Sequence, residues 1–123
     1  MRSCLLAFVD DPGIQTRLES VAEEKQVECY LAKWGEQLSQ LAKTLNPFLV
    51  VVDLSGQESE WLFKHINIIK HENPRLRIVA MTNAGQTDVK ERADSYGCDL
   101  TLSKPDLFRR FPEIIESALG KTW

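Results

Sequence analysis

The sequence predicts an α/β fold: five parallel strands in a doubly wound sheet, covered by helices on both sides as a three-layer sandwich. Two observations carry this. Short apolar runs alternate strictly with segments of helical period, five times over, through connections too short for anything but right-handed crossovers onto a parallel sheet. The run Phe48-Leu49-Val50-Val51-Val52 is unbroken, rich in β-branched residues and closed by Asp53-Leu54-Ser55-Gly56, which reads as a strand buried on both faces.

Each element has its own signal. Ser3 to Val9 is the first apolar run, and Asp11-Pro12 starts a helix, since Asp accepts from the free amides and Pro has none to satisfy. Ile14, Leu18, Val21 and Ala22 then recur at helical spacing. Val27 to Ala32 alternates as a second strand, with Gly35 as the turn out of it. Leu38, Leu41, Ala42 and Leu45 form a second helix, ended by Asn46-Pro47. After the third strand, a polar loop from Ser55 to Ser59 leads to a helix carrying Leu62, Ile66 and Ile69, stopped by Asn73-Pro74. Ile78 to Met81 is the fourth strand; Val89, Ala93 and Tyr96 mark a short helix ended by Gly97. Leu100 to Ser103 is the fifth strand. The last helix carries Ile114, Ile115, Ala118 and Leu119, and Pro112 implies that it begins there or has a kinked first turn from Asp106, because an interior Pro costs about 3 kcal/mol.

Length and composition set the class. At 123 residues the chain reads as one domain over 1–123, able to bury roughly two thirds of its unfolded surface. A net charge of -3 gives no electrostatic case for nucleic acid. Cys4, Cys29 and Cys98 lack disulfide or zinc spacing and read as reduced, mostly core thiols. The first apolar run is too short for a signal peptide or a membrane span, so a cytoplasmic location is expected.

The polar residues at the carboxyl ends of the strands form a set that periodicity does not require. Strand one ends in Asp10-Asp11, strand three in Asp53, strand four in Thr82 and strand five in Lys104. Ligands of open α/β sheets bind at this edge. Two carboxylates about 4 Å apart repel by roughly 4 kcal/mol at an effective dielectric of about 20, so the site asks for a cation. Lys104 supplies one charge, and a few carboxylates with waters and a phosphate oxygen are the usual setting of Mg²⁺. The chemistry suggested is phosphoryl transfer to Asp53 as a carboxylate nucleophile.

At these residues the chain resembles the receiver domain of two-component response regulators, the CheY-like family. The resemblance runs nearly end to end, through Phe8-Val9-Asp10-Asp11-Pro12-Gly13-Ile14, Ala32-Lys33-Trp34-Gly35-Glu36, Pro47 to Asp53, Met81-Thr82, Ala93 to Asp99 and Ser103-Lys104-Pro105. It implies a flavodoxin-like sheet of strand order 2-1-3-4-5. It further implies Asp53 as phosphoacceptor and ligand of Mg²⁺ (or Mn²⁺), Asp10 as a second ligand, Ser55 as a ligand through its backbone carbonyl, and Asp11 mainly as a helix cap and only secondarily as a metal ligand. Thr82 would bind a phosphate oxygen, Asn83 would lend a backbone N–H, and Lys104 would pair with the phosphate. The partners implied are a sensor histidine kinase or phosphotransfer protein, and a downstream protein on the face of helix four, strand five and helix five. Such a domain is regulatory rather than an enzyme, catalysing only its own modification.

The chain departs from the family pattern at Val9, where the first residue of an acidic pair is usual, at Asn83, where a small residue is usual, and at Thr101, where a switch aromatic is usual. The loop after Asp53 also lacks the common Met-Pro. These departures motivate an alternative, a pseudo-receiver that binds partners without phosphorylation. A flavodoxin-type cofactor binder shares the expected fold, but its loop after strand one should cradle a phosphate, which Asp10 and Asp11 repel. His65 and His71 lack partners at ligand spacing and read as solvated or half-buried. Phe108, Arg109, Arg110 and Phe111 read as core aromatics with solvated arginines, and Trp34, Trp61 and Trp123 as packing or terminus, the alternative for both groups being a partner surface.

Overall fold

The computed structural model describes residues 3–56 and 59–120; Trp123 and residues 57 and 58 of the polar loop lie outside this range. Ten elements alternate: β1 (Cys4–Phe8), α1 (Pro12–Glu24), β2 (Glu28–Leu31), α2 (Gly35–Thr44), β3 (Leu49–Asp53), α3 (Ser59–Glu72), β4 (Arg77–Thr82), α4 (Thr87–Tyr96), β5 (Leu100–Ser103) and α5 (Lys104–Gly120). All strand pairings are parallel, in the order β2-β1-β3-β4-β5.

The apolar side chains divide by strand parity. Leu6, Phe8, Val50, Val52, Ile78 and Ala80 face α2, α3 and α4, meeting Leu38, Phe63 and Ile66. Leu5, Ala7, Leu49, Val51, Val79 and Met81 face α1 and α5, meeting Leu18, Leu107 and Phe111. Leu49 through Val52 are fully buried, as a central strand covered on both sides requires. Edge strand β2 instead alternates between exposed and half-buried residues.

Two local expectations are corrected. Gly35 is the first residue of α2 and not a turn outside it. The reason is close approach: a Cβ at this position would lie 2.5 Å from Trp61 Cη2 and 2.6 Å from His65 Cδ2. The last helix starts at Lys104, ahead of both expected starts, Asp106 and Pro112, and carries Pro112 inside it. Leu107, Phe111, Ile114, Ile115 and Ala118 form one buried stripe along it. At about 1.5–3 kcal/mol per large apolar side chain, that burial outweighs the roughly 3 kcal/mol cost of the proline.

His65 is buried, with Nδ1 2.8 Å from Ser39 Oγ and its ring edge-on to Trp61. Burial, with Lys64 beside it, pushes this imidazole below its ordinary value, and Glu36 opposes the shift. It joins α2 to α3, whereas His71 is exposed. The three cysteines are free thiols. Burial, reinforced by Asp94 and Asp99, pushes Cys98 up to about 12, and burial with Glu19 nearby pushes Cys29 to about 11, so neither is a thiolate at neutral pH. Phe111 is core; the Arg17 guanidinium sits 4.0 Å from the Phe108 ring centroid, and Arg109 pairs with Asp106 at 2.9 Å.

Candidate functional site

The strand register gathers the polar residues at one edge. Met81 lies opposite Asp53, and Ser103 lies opposite Thr82, so β3, β4 and β5 hand over to their loops within a residue or two of one another. The Leu54 N–H donates to the Met81 carbonyl at 2.8 Å, which fixes the chain direction beyond Asp53. On the other side β1 ends at Phe8. There the Gln15 amide donates to the Val9 carbonyl at 2.6 Å and holds the turn into α1.

A cleft of about 420 Å³ opens here, lined by Phe8, Asp10, Asp11, Pro12, Asp53, Ser55, Gly56 and Lys104. Asp53 is oriented through both of its oxygens. Oδ1 accepts the Ser55 backbone N–H at 2.9 Å and the Ser55 hydroxyl at 2.6 Å. Oδ2 faces the Lys104 ammonium at 3.8 Å. The Asp53 side chain lines the cleft and retains 12% of its exposure.

Asp11 lines the cleft but spends Oδ1 on the start of α1, accepting Gly13 N–H at 2.8 Å and Ile14 N–H at 3.4 Å. Asp10 is exposed on the same rim. Among the described residues no three His, Cys, Asp or Glu side chains group closely enough to hold a metal by themselves. Mg²⁺ needs less, being held by one or two carboxylates with waters and a phosphate oxygen. Asp10, Asp53 and the Ser55 carbonyl fit that weaker donor set.

Thr82 and Asn83 are not in this cleft. They line a separate groove with Gly85, Gln86, Lys90, Thr101, Ser103 and Asp106. Thr82 is 5% exposed, and the Asn83 N–H donates to the Gln86 side-chain oxygen at 2.7 Å. Thr101 is buried, its hydroxyl donating to Asp94 on α4 at 3.0 Å. The nearby aromatic, Tyr96, is stacked on Phe63 at 5.2 Å, while Arg92 lies over the same Phe63 ring and pairs with Glu60. Sequence reasoning passed over Gln86, Ser55 as the hydroxyl partner of Asp53, and Gln15; each acts through a local turn contact with no motif of its own.

Five parallel strands in the order 2-1-3-4-5 with five interleaved helices make a CheY-like, flavodoxin-like fold, with an acidic pocket at the carboxyl edge of the sheet. No protein-family model and no curated protein matches the sequence. Solved structures do. NtrX from Brucella abortus superposes with a TM-score of 0.82 at 21% identity, over 98% of this chain and 28% of its own. A response regulator from Thermotoga maritima gives 0.82 at 15%, over 98% and 99% of the two chains. A CheY-like protein, TadZ, from Pseudomonas aeruginosa PAO1 gives 0.82 at 13%, over 95% and 99%. The chain therefore spans little more than a quarter of NtrX and nearly all of the other two, and at these identities the likeness is one of fold.

Proposed function

We propose that residues 1–123 are a single receiver unit of two-component signalling, in which Asp53 accepts a phosphoryl group from a histidine kinase or phosphotransfer protein. The observation that carries this is the divided hydrogen bonding of Asp53: Ser55 holds Oδ1 with two donors, while Oδ2 is turned to Lys104 at the cleft. A carboxylate serving only as a turn-former would have no reason to keep one oxygen facing an ammonium in an open cleft.

In the transfer, Oδ2 attacks the donor phosphorus. The new O–P bond forms as the donor P–N bond breaks, and the bonding pair leaves on the donor imidazole nitrogen, the ring departing as neutral imidazole because a proton from solvent is carried on one of its two nitrogens. Lys104 offsets charge on the equatorial oxygens, and Ser55 keeps the carboxylate from rotating. Asp10, Asp53 and the Ser55 carbonyl would hold Mg²⁺, which supplies charge neutralisation at the phosphoryl oxygens when bound. Thr82 and the Asn83 N–H would close on the phosphoryl group from their groove, and the resulting shift would reach a partner on the α4, β5 and α5 face. The domain is then a regulator, and a cytoplasmic setting suits it; no helix among the described residues is long and apolar enough to cross a membrane.

A pseudo-receiver is the second reading, favoured by the separation of Thr82 and Asn83 from the Asp53 cleft and by Thr101 standing bonded to Asp94. Incubation with a small phosphodonor and Mg²⁺ separates the two. The receiver reading expects a mass increase of one phosphoryl group that is lost in Asp53→Ala. Folded protein of unchanged mass would establish the pseudo-receiver.

A further inference from the structure

We propose that Gln86 controls access to the phosphate-binding amide, its side-chain oxygen standing in for a phosphoryl oxygen until one arrives; this rests on the receiver reading above. The Asn83 N–H is the backbone donor next to Thr82 at the edge shared with Asp53 and Lys104. In this structure that donor is taken: Gln86 Oε1 accepts it at 2.7 Å. The contact is closed from both ends, because the Gln86 N–H donates back to the Asn83 carbonyl at 3.3 Å. Gly85, at φ +88, lets the chain turn tightly enough for residue 86 to reach residue 83.

Gln86 also stands at the entrance to α4. Its carbonyl accepts the Lys90 N–H at 3.1 Å, yet its side chain makes no cap to the helix and folds back on Asn83 instead. An amide oxygen is a neutral acceptor. A phosphoryl oxygen is charged, and hydrogen bonds to ionised acceptors are roughly twice as strong. An anion at Asp53 therefore displaces Gln86 where water does not, and the displaced side chain is released at the first turn of α4. Gln86 is thus a positioning residue that sets both the affinity for the phosphoryl group and the coupling of that event to α4.

The test uses beryllofluoride with Mg²⁺ as the phosphoryl probe, titrated calorimetrically into the wild type, Gln86→Ala and Gln86→Glu, with thermal unfolding run on each to verify the fold. Gln86→Ala is expected to tighten binding about 3- to 10-fold, the weight of one neutral hydrogen bond. Gln86→Glu is expected to weaken binding by at least as much, since a carboxylate holds the amide harder and repels the anion. The Asn83 amide resonance should shift on binding in the wild type and begin shifted in Gln86→Ala. Wild-type binding with equal affinity in Gln86→Ala overturns the role of Gln86 and leaves the receiver reading standing. Absence of binding in every variant, together with unmodified Asp53, overturns both. A wild type that binds nothing beside a Gln86→Ala that binds would be the strongest support.

Discussion

Lys104→Met is expected to slow phosphoryl uptake at Asp53 by about 10²- to 10³-fold, the usual loss when one preorganised stabiliser of developing charge is removed. The charges lining the Asp53 cleft are the reason. Its described lining offers three aspartates and a single basic residue, Lys104. An incoming phosphoryl group adds negative charge beside Asp53, and the ammonium 3.8 Å from Oδ2 is the protein's own means of offsetting it. Methionine keeps the stem and its packing and removes only the charge. Lys104→Arg should recover part of the rate, because the charge returns on a wider, planar head that fits the same space less well. Initial rates of mass gain from a small phosphodonor measure both. A Met variant as fast as the wild type would remove Lys104 from the mechanism.

Asp99→Ala is expected to lower the unfolding free energy by about 2–3 kcal/mol, a large share of the total for a domain of this size. Asp99 follows α4 and precedes β5, and its carboxylate serves two masters. It accepts the Lys70 ammonium of α3 at 2.8 and 2.9 Å, and the Ile78 N–H of β4 at 2.8 Å. Lys70 in turn donates to the Leu76 carbonyl at 2.9 Å. Truncation leaves the Ile78 amide without the Asp99 carboxylate and a largely covered ammonium with the Leu76 carbonyl but no counter-charge from Asp99, and loss of one partner costs more than the pair contributes. Lys70→Met should cost less, since the Ile78 N–H keeps its carboxylate. Urea unfolding of the two variants gives the comparison, and a larger loss for Lys70→Met would show that the amide is not the dominant partner.

Why the sequence shows Asp99 only as part of a matching stretch, and not its partners, is a matter of range. The alternation of strands and helices, the cap at Asp11 and the buried run of β3 are written in neighbouring residues, and periodicity exposes them. Asp53, Asp10 and Lys104 were legible because each sits where a strand ends, and the order of strands brings those ends together. The Lys70–Asp99 pair joins residues 29 apart through side-chain reach alone, which no local pattern encodes. The Ser39–His65 contact, 26 residues apart, is hidden for the same reason.

Short-range features were missed where two local rules compete. Pro112 argued against a helix interior, and the buried stripe of α5 overrode it. Gly35 looked like a turn because glycine often is one; here the want of a side chain lets Trp61 and His65 close over the start of α2. Thr82 and Asn83 were placed at the right strand end, but the turn at Gly85 and the Gln86 contact decide which groove they face. That choice depends on loop closure rather than residue type.

The claim that Asp53 is the phosphoacceptor is tested most directly by trapping the acyl phosphate. After exposure to a phosphodonor with Mg²⁺, borohydride reduces an aspartyl phosphate to homoserine, and peptide sequencing then locates the altered residue. Homoserine at position 53 alone, with none when Mg²⁺ is chelated, is the predicted result. Unaltered Asp53 in protein that has gained a phosphoryl group elsewhere would contradict it.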